Sequence, residues 1–285
     1  MQALVLRIRN ILLRVVAAVN LKILGSEDEK MMKMSLIGLV VVSMMSVSAA
    51  NAGSMAVTFP SQSGWTVSGT AGAPEYQQSN WVNTNSDQSS WGNQYNLVDN
   101  SGQLTGAKMD WYASPVWNCS FGAADNDNER MMDSGLAAAG ENGKVEINVI
   151  NIPYASYDVV VYFSSELTNA YVAKYTLGAT SVYARVQAMN AFANSNTFTQ
   201  VSSSSTTNLQ GSTPTGNYIV FKNVTGSSMY LTAQNAWTGE NIYTYAAGQP
   251  WAQVSGFQIV AVPEPVTVAL LGLGGLMSVL KRRRN

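Results

Sequence analysis

The sequence predicts a mainly β protein, with a β-sandwich or jelly-roll body at residues 53–262 between an N-terminal signal helix and a single C-terminal transmembrane helix. Three observations predict it. All the aromatic residues, 7 Trp, 13 Tyr and 7 Phe, fall between residues 53 and 262, so only that segment is equipped to build a core. Within it, short β-branched and aromatic runs recur between Asn-, Ser- and Gly-rich connections. Outside it lie two apolar stretches with basic flanks.

Residues 1–30 are apolar and basic, with Leu4, Ile8, Ile11, Leu12, Val15, Val16 and Val19 at helical spacing, the pattern of an amphipathic membrane helix. A complete export signal nevertheless follows them. Met31-Met32-Lys33-Met34 supplies a short positive region, Ser35 to Val47 an apolar stretch, and Ala50-Asn51-Ala52 a small-residue cleavage site before Gly53. Residues 31–52 are therefore expected to be the signal peptide, read by the Sec translocon and signal peptidase. Residues 1–30 are expected to be an upstream extension or a mis-assigned start, with translation opening at Met31, Met32 or Met34.

In the body, Val145, Ile147 and Val149 alternate with Glu146 and Asn148, a half-buried strand. Asn151 to Tyr154 serves as a connector, and Tyr157 to Phe163 makes a continuous buried strand. Further strands are expected at 55–59, 105–112, 171–176, 180–186, 217–224, 228–234 and 254–261, about nine in all. The only convincing helix inside the body spans Asn128 to Ala139, and the Ser/Thr run from Ser202 to Thr207 reads as a loop.

The C-terminal segment, residues 263–285, is the most specific feature. Pro263-Glu264-Pro265 favours an extended backbone, since each proline restricts the residue before it and cannot sit inside a helix. Val266 to Leu280 then forms an apolar helix of about 22 Å, short against a hydrocarbon layer of about 30 Å, so it suits temporary anchoring. The cluster Lys281, Arg282, Arg283 and Arg284 holds its own end in the cytoplasm by the positive-inside rule, which puts the body on the outer face of the inner membrane.

That tripartite tail closely resembles the PEP-CTERM sorting signal of Gram-negative exosortase substrates. Pro263, Glu264 and Pro265 match the motif, Ala269 to Leu276 the Leu/Gly-rich helix, and Lys281 to Arg284 the terminal cluster. The resemblance implies an exosortase as partner, removal of the helix and cluster, and transfer of the body to the cell surface, outer membrane or extracellular matrix, as in a biofilm. The body also loosely resembles galactose-binding-like sandwiches. Asn80-Trp81, the turn at Leu97 to Asn100 before Thr105 to Trp111, the Tyr157 to Phe163 strand and the closing Val254 to Val260 strand carry that likeness.

Composition narrows the chemistry. The chain has no histidine, which excludes Ser-His-Asp and Cys-His machinery and His-containing zinc sites. The only cysteine, Cys119, forms neither an intrachain disulfide nor a thiolate metal cluster, and reads as a small buried hydrophobe. The net charge of −1 conceals an acidic body with six bases against thirteen acids, a net of −7, between basic ends. An acidic surface disfavours nucleic acid as a partner.

Two long aromatic stretches are candidates for function, residues 65–95 and 234–253. In the second, Trp237, Tyr243, Tyr245 and Trp251 offer rings to stack on sugar C–H faces, while Glu240 and Asn241 offer groups for hydroxyls. This is the expected ligand site, with extracellular polysaccharide as ligand. The opposing reading packs the rings inward as a satellite core. Asp125, Asp127 and Glu129 alternate as oxygen ligands a Ca²⁺ ion uses, but without the glycine and distal Glu of an EF-hand loop. They read better as an acidic turn capping the helix, so no metal and no cofactor is expected. The sequence thus describes an exported, non-enzymatic protein whose expected task is carbohydrate binding. A matrix protein without a ligand is the alternative, followed by a glycosidase working with carboxylates such as Glu146, Asp158 and Glu166.

Overall fold

The computed structural model describes residues 53–60, 63–84, 91–113, 116–118, 126–139, 143–165, 172–202, 213–236 and 251–262, without the side chains of 63, 91–94, 116–118, 139 and 251. In chain order the strands are β1 (Ser54–Thr58), β2 (Val82–Asn83), β3 (Trp91–Val98), β4 (Leu104–Tyr112) and β5 (Val116–Asn118). Helix α1 (Asp127–Met132) precedes β6 (Ser134–Ala139), β7 (Lys144–Ile150), β8 (Ser156–Tyr162), β9 (Val172–Leu177) and β10 (Thr180–Val186). Helix α2 (Met189–Ala193) precedes β11 (Gln200–Val201), β12 (Thr215–Gly216), β13 (Tyr218–Thr225), β14 (Ser228–Asn235), β15 (Trp251–Val254) and β16 (Gly256–Ala261).

These strands form a six-stranded sheet, β11-β13-β8-β16-β1-β2, a seven-stranded sheet, β12-β10-β9-β14-β7-β4-β3, and a three-stranded sheet, β15-β6-β5. The two large sheets share one core. Met55, Val57, Val159, Val161, Ile219, Phe257 and Ile259 from the first pack with Met109, Trp111, Ile147, Val149, Tyr175 and Leu231 from the second. Leu136, Ala138, Ala252 and Val254 of the small sheet join the same cluster. The body is a β-sandwich, as expected.

Alternation decides which sheet is covered. In β7 and β9 every second residue is buried, so the seven-stranded sheet has one face in the core and one outward. In β8 the burial is continuous from Val159 to Tyr162, because Val160 and Tyr162 point away from the main core into a second cluster. There they meet Val67, Ala73, Trp81, Met131, Met189 and Phe192. The segment 63–84 and both helices therefore roof the six-stranded sheet. The seven-stranded sheet receives no such cover from the described residues.

Tight turns set the register. The β3–β4 turn is held by Asp99, whose Oδ1 accepts from the N–H groups of Ser101 at 2.8 Å and Gln103 at 3.0 Å and from Ser101 Oγ at 2.6 Å. Gly226, at φ +105, turns the chain from β13 in one sheet to β14 in the other. The connector between β7 and β8 crosses beside it, with Ile152 N–H donating to Ser227 O at 2.9 Å.

Four expectations need correction. The described residues hold sixteen strands rather than nine, and a second helix, α2, that the sequence did not predict. The helix predicted at 128–139 stops at Met132, and 134–139 is strand β6. A side chain on Gly135 would overlap the Val254–Ser255 backbone, so this small-residue run is selected for close approach between strands, not for helix. The predicted strand 254–261 divides at Ser255, whose N–H donates to Tyr162 O at 2.8 Å, with β15 and β16 in different sheets.

Among the described residues no helix is long and apolar enough to cross a membrane. The predicted signal peptide and C-terminal helix lie outside the described residues.

Candidate functional site

The uncovered face of the seven-stranded sheet carries the outward residues of β4, β7, β14, β9 and β10. Register aligns them in rows across the strands. Asp110, Asn148 and Tyr230 face one another, and Tyr112, Glu146, Thr232, Thr176 and Ser181 form the next row. Asp110, Tyr112, Glu146, Asn148 and Tyr230, over the Trp111 ring beneath, line a depression of about 360 Å³. Tyr230 is half exposed, whereas most large hydrophobic side chains are buried.

The polar groups here are set by one another. Asn148 Nδ2 donates to Asp110 Oδ2 at 3.2 Å. Glu146 Oε1 takes the Lys144 ammonium at 2.5 Å and accepts the Tyr230 hydroxyl. Partial burial alone would raise the Glu146 pKa, but the Lys144 and Tyr230 bonds outweigh it and hold the carboxyl below its ordinary range. Burial and the Glu146 charge push the Tyr230 phenol up to about 12. Farther along the sheet, Thr176 and Ser181 share a hydroxyl hydrogen bond at 2.9 Å, and Lys174 Nζ sits 5.9 Å from the Tyr183 ring centre.

Chemically, this is a surface of tyrosine rings with a pinned carboxylate, an amide and hydroxyls beside them. Such a set stacks on apolar ring faces and exchanges hydrogen bonds with a hydroxyl-rich ligand. Glycosidase chemistry takes one protonated and one ionised carboxyl, and Glu146, held below its ordinary range, fits only the ionised one. Asp158, another carboxylate considered for that chemistry, lies on the other large sheet, where its Oδ1 accepts from Asn223 N–H at 2.9 Å. Glu166 lies outside the described residues.

Of the first aromatic stretch, Trp81 and Tyr76 belong to a satellite core and Tyr95 to the main one, while the Trp91 side chain lies outside the described residues. Trp81 is buried, with its ring 6.1 Å from Tyr162 and its Nε1 donating to Gln78 O at 3.0 Å. Tyr76 packs against the same cluster, and Tyr95 lies 5.2 Å from the Trp111 ring in the main core. In the second stretch, residues 237–250, with Trp237, Glu240, Asn241, Tyr243 and Tyr245, lie outside the described residues, and Trp251 is described only as the backbone opening β15.

The acidic turn caps a helix. Asn126 Oδ1 accepts from Glu129 N–H at 3.0 Å, and Asn126 Nδ2 donates to Glu129 Oε1 at 2.8 Å, a reciprocal cap on α1. Asp127 Oδ1 accepts from Ser68 N–H and Arg130 Nη1, both at 3.0 Å. Asp125 and Cys119 lie outside the described residues. Among the described residues no group of three or more Cys, Asp or Glu side chains is placed to hold a metal ion.

Of the processing residues, Gly53 is described. Its carbonyl accepts from Ala261 N–H at 2.9 Å. Ala50, Ala52, Pro263, Glu264, Pro265 and Lys281 to Arg284 lie outside the described residues.

The sheet-face residues were not singled out as a ligand site from sequence. Each occupies the polar phase of an alternating strand, where a solvent-facing residue is the ordinary expectation. The available signal was tyrosine in that phase, at Tyr112 on β4 and Tyr230 on β14.

No protein-family model and no curated protein matches the chain. Among solved structures, the chain is similar to the CBM36-1 domain of a multidomain xylanase from the hindgut metagenome of Trinervitermes trinervoides. Identity is 12% over 54% of this chain and 91% of that domain, with a TM-score of 0.29. It is also similar to an exo-β-1,3-galactanase from Phanerochaete chrysosporium solved with galactose. Identity there is 13% over 59% of this chain and 32% of that one, with a TM-score of 0.28.

Proposed function

We propose that this is an exported, non-enzymatic protein whose β-sandwich binds carbohydrate on the open face of its seven-stranded sheet. The observation that carries this reading is the grouping of Tyr112 and Tyr230 with Asp110, Asn148 and Glu146 over one depression. Glu146 is neutralised by Lys144, while Asp110 keeps its charge and is oriented by the Asn148 amide, so the depression offers fixed acceptors to a hydroxyl-rich ligand. Export rests on the signal at 31–52. Transient anchoring in the inner membrane, with release by an exosortase to the surface or extracellular matrix, rests on Pro263-Glu264-Pro265, the apolar segment and the terminal basic cluster.

Affinity electrophoresis of the body through gels containing xylan, β-1,3-galactan or the host's extracellular polysaccharide tests the binding. Retention by one of them, weakened about tenfold in Tyr112→Ala and Tyr230→Ala, supports the reading. Mobility unchanged in all three gels overturns it. Intact mass of the exported protein tests the processing. A chain from Gly53 to near Pro265 is the expected product, and one retaining Val266 to Asn285 overturns sorting.

A further inference from the structure

Tyr230 walls two depressions at once. Besides the one it shares with Asp110 and Glu146, it lines a larger groove of about 800 Å³. That groove wraps from the sheet face, at Thr176 and Thr232, round the β9–β10 turn to the end of β13 in the other sheet. Leu177, Val224 and Met229 give it apolar walls, and Thr180, Thr225 and Thr232 give it hydroxyls.

We propose that the two depressions form a single track that holds an extended neutral polysaccharide through several consecutive sugar units. This rests on the carbohydrate reading above. The track crosses β4, β7, β14 and β9, which are successive neighbours, so it covers three strand spacings, about 14 Å, before it turns into the groove. A single sugar ring occupies only part of that length. A track open at both depressions accepts the interior of a chain and has no need of its end.

The neutral class follows from charge. The lining of the two depressions carries Asp110 and Glu146 against Lys222, with Lys144 bound to Glu146, so these four charges sum to zero. The body as a whole is net −7, which repels a polyanion. Lys222 is exposed on the groove wall, where β11 has ceased to pair with β13, and a lysine at an open strand edge blocks edge-to-edge association.

Calorimetric titration with di-, tetra- and hexasaccharides of the β-1,4-xylan and β-1,3-galactan series tests the track. In one series, the hexasaccharide is expected to bind at least about tenfold tighter than the disaccharide. Thr180→Trp and Thr225→Trp, each filling the groove from an exposed position, should erase that advantage and leave disaccharide affinity unchanged. Equal affinity at every length, or an undiminished advantage in both folded Trp variants, overturns the track while leaving carbohydrate binding intact. Tighter binding of oligogalacturonate than of either neutral series overturns the neutral class. No binding at any length, with no retention of the body in any gel, overturns the carbohydrate reading itself.

Discussion

Tyr230 on β14 donates its hydroxyl to Glu146 on β7, one row along from Asn148, the residue it directly faces. The bond ties two neighbouring strands across the open face. It also fixes the Tyr230 ring beside the carboxylate, so a rigid aromatic wall and an acceptor are presented together without a ligand having to order them.

Both groups make stability depend on pH, with opposite signs. Glu146 has its folded pKa lowered, so its contribution is present above the unfolded value near 4.5 and is lost as pH falls through the lower folded value. Tyr230 has its folded pKa raised, so its contribution is full below 10.0 and is lost as pH rises from there through about 12. Melting temperature measured across pH should fall on both sides. Glu146→Gln should flatten the acid limb, and Tyr230→Phe should reduce the alkaline one. An acid limb unchanged in Glu146→Gln refutes the assignment.

Tyr162 joins the six-stranded sheet to its roof. Its hydroxyl donates to Gln258 Oε1 at 2.5 Å and accepts from Ala73 N–H at 3.1 Å, while Gln258 Nε2 donates to Tyr76 O at 2.8 Å. Tyr162→Phe keeps the ring against Trp81 and Tyr218 but leaves a buried donor and a buried acceptor without partners. The expected loss is about 1–3 kcal/mol in urea unfolding. A variant as stable as the parent would show that the roof is held by ring packing alone.

Strong alternation made the main strands legible. Val145, Ile147 and Val149 marked β7, and the unbroken Tyr157 to Phe163 run marked a strand buried on both faces. Strands lacking that signal were missed. The sequence of β6, SGLAAA, has neither period nor β-branched residues, and is a strand because Gly135 admits the backbone at Val254. The two-residue strands β11 and β12 are made by their partners β13 and β10, not by any local pattern. The sheet-face site depends on register among residues 110, 148 and 230, a long-range pairing that no local window contains.

The capping reading of Asp127 and Glu129 separates cleanly from a calcium site. Asn126→Ala removes the α1 cap and should cost about 0.5–2 kcal/mol, with or without Ca²⁺. Millimolar CaCl2 and EDTA should give the parent the same melting temperature. A calcium-dependent rise would mean that Asp127 exchanges its Ser68 and Arg130 contacts for the ion.

The first and last strands of the body complete each other. Ser54 pairs with Val260 and Thr58 with Gly256, so β1 meets β16, and β16 in turn lies between β1 and β8. Phe257 and Ile259 of β16 are fully buried in the shared core. Losing them removes about 1.5–3 kcal/mol of apolar burial each, before the two ladders are counted, against a net stability of about 5–15 kcal/mol. A chain spanning residues 53–262 should therefore melt in one cooperative transition by circular dichroism, and one ending at Val254 should show none. Cooperative melting of the shorter chain would mean that the sheet closes without β16. Its absence would mean that the sandwich cannot be completed without β16, the strand that ends just before Pro263.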